Sequence, residues 1–211
     1  MQQTKSNLTP AELVDCLGGI TVQGVYKALK SHSISTDVTN TRRLLVPAAG
    51  VRKLLEERGF KYPKFNLSFQ MLKGGAGKTS LSLTLAMRAA QYGAKILCVE
   101  LDMQSNLTRS FNINAREKSV WINLVRDNVD IRNAIIPITD NLHIIPSNLN
   151  NSRLEIELAQ ANLNLRDLVK DILEPIRNEY DIVIFDCQSA INKTNTTAIC
   201  ASDLIIIPVN P

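Results

Sequence analysis

The chain has 211 residues, 45% hydrophobic and 21% charged, with nine glycines and eight prolines, proportions that fit one large or two small globular domains and exclude disordered and fibrous classes. A membrane-spanning helix needs about 20 apolar residues in succession, whereas the run Leu204–Val209 is six residues long and contains Pro208, and the opening MQQTKSNLTP lacks the apolar stretch of an export signal. The net charge of +4 is uneven: residues 1–64 hold 10 Lys and Arg against 5 Asp and Glu, and the remainder holds 14 against 15, a distribution that suits a polyanion-binding first third and equally an ordinary solvated basic surface.

The segment TPAELVDCLGG is expected to form a capped helix, with Thr9 as N-cap, Pro10 at the first helical position, Glu12 at the third, and a Gly18-Gly19 stop. In VQGVYKALKSH, helical spacing puts Val22, Val25, Tyr26 and Leu29 on one face and leaves Gln23, Lys27 and Lys30 on the other. Two helices across a tight glycine turn make a helix-turn-helix pattern, whose second helix reads the major groove. They also occur in domains that only dimerise. A polar stretch, SISTDVTN, leads to TRRLLVPAAGVRKLLEERG, where Pro47 opens a helix, Gly59 closes it, and Arg42 and Arg43 stand just before it. This order resembles the winged helix-turn-helix modules of the MerR type. It implies a small all-α, winged unit over residues 1–64 in which Gln23, Lys27, Lys30, Arg42 and Arg43 meet DNA.

FKYPKF, with Pro63, is expected to be a linker. After it, short apolar strands alternate with helical stretches: FNLSFQML, a helix through about Tyr92, then KILCVELD, LHII, DIVIF and DLIIIPV. Residues 65–211 therefore read as an α/β unit of parallel strands, with ligands bound at the strands' carboxyl ends. The cysteines Cys16, Cys98, Cys187 and Cys200 form no C-x-x-C pair, so neither disulfides nor zinc are expected. Trp121 reads as a core residue, and His32 and His143 lack companions at metal-ligand spacing.

Between the first of these strands and its helix lies KGGAGKTS, residues 73–80. Glycines at Gly74, Gly75 and Gly77 let successive backbone N–H groups turn toward a phosphate, with Ala76 and Ser80 completing the loop and the helix start adding positive partial charge. Lys78 is expected to reach the β- and γ-phosphates, and the Thr79 hydroxyl to ligate Mg²⁺. The strict phosphate-loop pattern fails because Leu72 stands at its first glycine; the deviant form K-G-G-x-G-K-[ST] matches.

KGGAGKTS resembles the deviant Walker A loop of the ParA/MinD superfamily of partition and positioning ATPases. ILCVELDMQSNLT (residues 96–108) is similar to that family's segment after its second strand, with Asp102, Gln104, Asn106 and Thr108 matching, and YDIVIFDC (residues 180–187) resembles its Walker B strand. With a helix-turn-helix ahead of it, the chain looks like the longer plasmid-partition ParA proteins. The resemblance implies ATP and ADP with Mg²⁺ as ligands, a homodimer, operator and nonspecific DNA, a ParB-like partner, no membrane, and a cytoplasmic, nucleoid-associated location. It makes Lys73 the signature lysine that crosses to the partner's nucleotide, gives Asp102 the task of orienting the attacking water, and has Asp186 hold magnesium through its water shell.

Departures from the family pattern are Glu100 for an aspartate, Met103 for a proline, and Gln188-Ser189 for two prolines, the last in a segment, Gln188–Thr197, that lines the second switch in relatives. Relatives also continue beyond the position of Pro211, so the sequence reads as a truncated chain that binds nucleotide weakly or without base discrimination. The expected function is a partition ATPase that represses its own operon. The alternatives are a transcription regulator switched by nucleotide and a membrane-positioning ATPase of the MinD kind.

Overall fold

The computed structural model describes residues 7–160 and 164–209. The expected truncation point at Pro211 lies outside the described residues.

The amino-terminal unit runs β1 (Asn7–Leu8), α1 (Leu13–Cys16), α2 (Val22–Ser31), β2 (Asp37–Val38), β3 (Leu44–Pro47) and α3 (Ala48–Glu57). Its strands form an antiparallel sheet in the order β1-β3-β2, which corrects the all-α expectation. Strands of two to four residues show too little of a period-2 alternation to be read from sequence. Helix α1 starts later than expected, at Leu13. The helix has Glu12 rather than Thr9 at its N-cap and no side-chain capping bond; the expected pairing closes the turn ahead of it instead, where Thr9 N–H donates to Glu12 Oε2 at 2.8 Å and Glu12 N–H to Thr9 Oγ1 at 3.4 Å, the reciprocal bonds of a capping box. Leu8, Leu13, Leu17, Val25, Leu29, Val46, Val51 and Leu54 make the core. Val22 and Tyr26, expected on the packing face of α2, are exposed, because only the Val25–Leu29 stripe meets the other elements of this unit.

The second unit comprises β4 (Phe65–Phe69), α4 (Lys78–Gln91), β5 (Ile96–Glu100), α5 (Asn106–Ser110), α6 (Trp121–Arg126), β6 (Ile136–Thr139), β7 (Leu142–Ile145), α7 (Leu154–Gln160), α8 (Leu168–Leu173), β8 (Ile182–Asp186), α9 (Lys193–Ala201) and β9 (Leu204–Ile206). The sheet order is β6-β7-β5-β8-β4-β9. All neighbours pair in parallel except β6, an unanticipated antiparallel edge strand against β7. Every residue of β5 is buried, as a central strand covered on both faces requires. Leu97 and Val99 pack with Trp121 and Phe185 on one face, and Ile96 and Cys98 with Ala86, Ala90 and Ile184 on the other. Trp121 is thus a core residue, as expected.

Residues 60–64 have no regular secondary structure and are fastened to what flanks them. The Tyr62 ring packs against both units, and its hydroxyl donates to the Tyr92 carbonyl at 2.5 Å. Gly93, at φ 87°, lets α3 approach: a Cβ there would lie 2.8 Å from the Ala48 carbonyl and 2.7 Å from Arg52 Cβ.

Candidate nucleotide-binding site

The loop between β4 and α4 takes its shape from Gly75 and Gly77, whose φ values of 75° and 88° are left-handed backbone that L side chains rarely adopt. A Cβ built at Gly74, Gly75 or Gly77 meets nothing within 4 Å, so these glycines border open space. Helix α4 begins there with Gly77 at its N-cap and no side-chain capping bond. Its first backbone N–H groups and the positive end of a 14-residue helix dipole are left available to an anion. Lys73 and Ser80 are exposed on this loop, Ala76 is buried, and Lys78 is 7% exposed.

Asp186 ends β8, in register with Phe69 of β4 and Glu100 of β5, which places it at the carboxyl edge of the sheet beside the loop. Its Oδ1 accepts from Ser82 Oγ at 3.0 Å, one turn into α4. Its Oδ2 is buried with no hydrogen-bond partner among the described residues. Burial raises the affinity of this carboxyl for a proton and the Asp102 charge adds to the effect, while the Thr79 and Ser82 hydroxyls and Lys78 oppose it. An orphaned, buried carboxylate oxygen is costly. A hard divalent cation relieves that cost through oxygen ligands, so Asp186 and the neighbouring Thr79 hydroxyl fit Mg²⁺.

Asp102 lies just beyond β5, half-buried, with Oδ1 accepting from the Gln104 N–H at 2.9 Å. That bond holds the carboxylate in a tight turn rather than leaving it free. Glu100, one strand position before Leu101, is fully buried and accepts from Leu107 N–H at 2.7 Å, Thr108 N–H at 2.8 Å and the Thr108 hydroxyl at 2.5 Å. The same hydroxyl oxygen accepts from Ser147 N–H at 3.0 Å, so Glu100 fastens the start of α5 and the end of β7 to the site. Burial pushes its carboxyl up to about 7 against those hydrogen bonds.

Lys78, Thr79, Asp102 and Asp186 therefore gather at one edge of the sheet, with Lys73 exposed on the loop and Ser80 exposed in the first turn of α4. The basic set is elsewhere. Gln23, Lys27 and Lys30 are exposed along α2, while Arg42 and Arg43 are exposed in the turn between β2 and β3, not immediately before α3 as expected. Of the further side chains at the candidate site, Glu100 and Ser189 stood out in the sequence only as departures from the family pattern, and Ser82 was not singled out. Ser82 carried a signal, since four residues after Lys78 puts it on the same helix face. Ser189, whose Oγ lies 2.5 Å from Lys78 Nζ, carried no signal of that contact.

An AAA domain family model matches residues 66–211. The chain is 34% identical to the sporulation initiation inhibitor protein Soj of Bacillus subtilis over 140 residues, 65% of this chain and 54% of Soj. It is 31% identical to the virulence plasmid ParA family protein pGP5-D of Chlamydia psittaci over 152 residues, 69% of this chain and 56% of that protein. Among solved structures, McdA of Cyanothece in complex with ATP is similar at a TM-score of 0.65 and 27% identity, over 71% of this chain and 57% of McdA. The chain spans about half the length of the curated relatives it matches. The motif order, the parallel sheet and these matches agree: the chain belongs to the ParA/MinD superfamily.

Proposed function

We propose that residues 65–211 bind ATP with Mg²⁺ and hydrolyse it slowly to drive DNA partition, and that residues 1–64 form a helix-turn-helix unit that binds an operator. The observation that carries the ATPase reading is the open glycine loop at the start of α4, facing a buried Asp186 oxygen without a partner. In this reading the loop N–H groups and Lys78 hold the polyphosphate, and Thr79 and Asp186 hold Mg²⁺, which neutralises phosphate charge when bound. Asp102, fixed by the Gln104 N–H, accepts a hydrogen bond from the attacking water and orients it. Lys73, exposed at the head of the loop, reaches a second protomer's nucleotide in a homodimer, and a ParB-like partner stimulates turnover. The exposed Gln23, Lys27 and Lys30 of α2, with Arg42 and Arg43 nearby in chain order, support the DNA role.

A second reading is a transcription regulator switched by nucleotide, favoured by the packing of α3 against the turn that follows α4. Asp102→Ala separates the two. Turnover is expected to fall at least about a hundredfold, the usual scale for a positioned proton acceptor, while ATP affinity measured by calorimetry stays near that of the parent chain. Operon repression that survives this variant supports the regulator, repression and partition lost together support the first reading, and equal loss of affinity and turnover contradicts the assignment of Asp102.

A further inference from the structure

We propose that Ser189 is the residue by which this site tells a nucleoside triphosphate from a diphosphate, an inference that rests on the ATP-binding reading above. Lys78 is a buried ammonium, and a buried ammonium requires acceptors. Ser189 Oγ supplies one at 2.5 Å, across 111 residues of chain. A hydroxyl that accepts from an ammonium keeps its own O–H for donation. The pair Lys78–Ser189 thus presents two donors to one anionic oxygen: an N–H of the ammonium and the serine O–H.

The location of Ser189 decides which phosphate it meets. The loop and the start of α4 follow β4. Ser189 approaches from beyond the carboxyl end of β8, three residues past the metal-binding candidate Asp186. Lys78 spans the β- and γ-phosphates of a nucleotide held in such a loop. Ser189 meets that same ammonium from the end of a different strand than the loop, so in this reading its O–H addresses the phosphate at the ammonium, the terminal one, rather than those enclosed by the loop N–H groups. Ser189 is also exposed whereas Lys78 is not, so the serine stands at the mouth of the site.

The hydroxyl is held in place rather than carried on a loose loop. Asn195, 2% exposed in α9, donates through Nδ2 to the Gln188 carbonyl at 2.9 Å and the Ala190 carbonyl at 2.6 Å, clasping Ser189 from both sides in sequence. Gln188 Nε2 donates to the Leu101 carbonyl at 3.2 Å, which ties the same segment to the residue before Asp102. The Glu155 carboxylate of α7 accepts from the Lys193 N–H at 3.0 Å and the Thr194 N–H at 2.8 Å, anchoring the start of α9. Such bracing is what a discriminating donor needs, since its value depends on a fixed geometry.

The test is calorimetric titration of the 211-residue chain, with Mg²⁺, against ADP and against a non-hydrolysable ATP analogue, for the parent, Ser189→Ala and Ser189→Thr. Ser189→Ala should lose about tenfold in affinity for the triphosphate analogue, the scale of one hydrogen bond to a charged group, and bind ADP as the parent does. Ser189→Thr, which keeps the hydroxyl, should restore the parent's triphosphate-to-diphosphate ratio. Equal loss for both nucleotides, or no loss for either, would overturn the role of Ser189 while leaving the ATP-binding reading intact. A parent chain that binds neither nucleotide would remove that reading, and this inference with it.

Discussion

Arg52 and Asp181 join the two units directly: Arg52 Nη1 lies 2.5 Å from Asp181 Oδ2, and the aspartate side chain is only 6% exposed. The same guanidinium donates to the Gly93 carbonyl at 3.0 Å and sits 4.0 Å over the Tyr62 ring, while Asp181 Oδ2 also accepts from the Lys95 N–H at 2.7 Å. Arg52 belongs to α3, Gly93 follows α4, and Asp181 precedes β8. One side chain of the amino-terminal unit thereby touches the far ends of the two elements that carry Lys78 and Asp186.

Arg52→Ala leaves the Asp181 carboxylate buried with its backbone donor alone. Removing one partner of a buried pair costs about 3–5 kcal/mol. Because the Arg52 side chain is 24% exposed, about 2 kcal/mol is expected here. Urea denaturation should show that loss, together with faster proteolytic cleavage within residues 60–64. A variant with the parent's midpoint and cleavage rate would show that the two units do not depend on this pair.

Glu100 gives a pH dependence whose sign follows from its environment. Burial raises its carboxyl to about 7 in the folded chain, above the ordinary value near 4.3 of an unfolded chain. The folded state therefore holds a proton that the unfolded state has released between those values. The stabilisation this proton gives is complete below about pH 4 and is lost as pH rises toward 7, by at most about 1.4 kcal/mol per pH unit. Glu100→Gln removes this contribution, so its stability deficit relative to the parent should shrink from pH 5 to pH 8. A deficit that stays constant over that range, in parallel denaturation series, would contradict the assignment.

The DNA reading predicts two different failures on α2. With duplexes selected from a random pool by the intact chain, Gln23→Ala should weaken binding to the selected site by about 1–3 kcal/mol and relax its base preference. Lys30→Ala should weaken selected and unselected duplexes alike and lower the slope of log K against log salt by about 1. Selection that yields no preferred sequence, with binding unchanged by either substitution, would sink the assignment of residues 1–64.

The parts of the site legible in sequence are those in which a local backbone requirement dictates residue type. Gly75 and Gly77 take left-handed backbone, and the helix they open begins at Lys78, so strand, glycine loop and lysine appear as one contiguous signal. Asp186 was legible because it ends an uninterrupted apolar strand. The contacts that complete the site are not local. Ser82 meets Asp186 across 104 residues and Ser189 meets Lys78 across 111, distances over which a single sequence carries no pairing information. The short strands β1 to β3 escaped for a different reason: they owe their pairing to neighbours in space and are too brief to show periodicity. In FKYPKF the proline marks a stretch without regular secondary structure, but the packing of Tyr62 on both units is a contact in space that the sequence does not carry.

The central claim is that the loop of residues 73–80 and Asp186 form one site for a magnesium-bound nucleotide, and calorimetric titration of ATP with and without Mg²⁺ tests it most directly. The parent should bind ATP more tightly with Mg²⁺ than without. Lys78→Ala should lose about 1.5–3 kcal/mol of affinity, tenfold or more, as expected for a hydrogen bond to a charged group. Asp186→Asn should bind ATP without Mg²⁺ as the parent does but gain little when Mg²⁺ is added. No ATP binding by the parent, or parent-like titrations for both variants, would contradict the account.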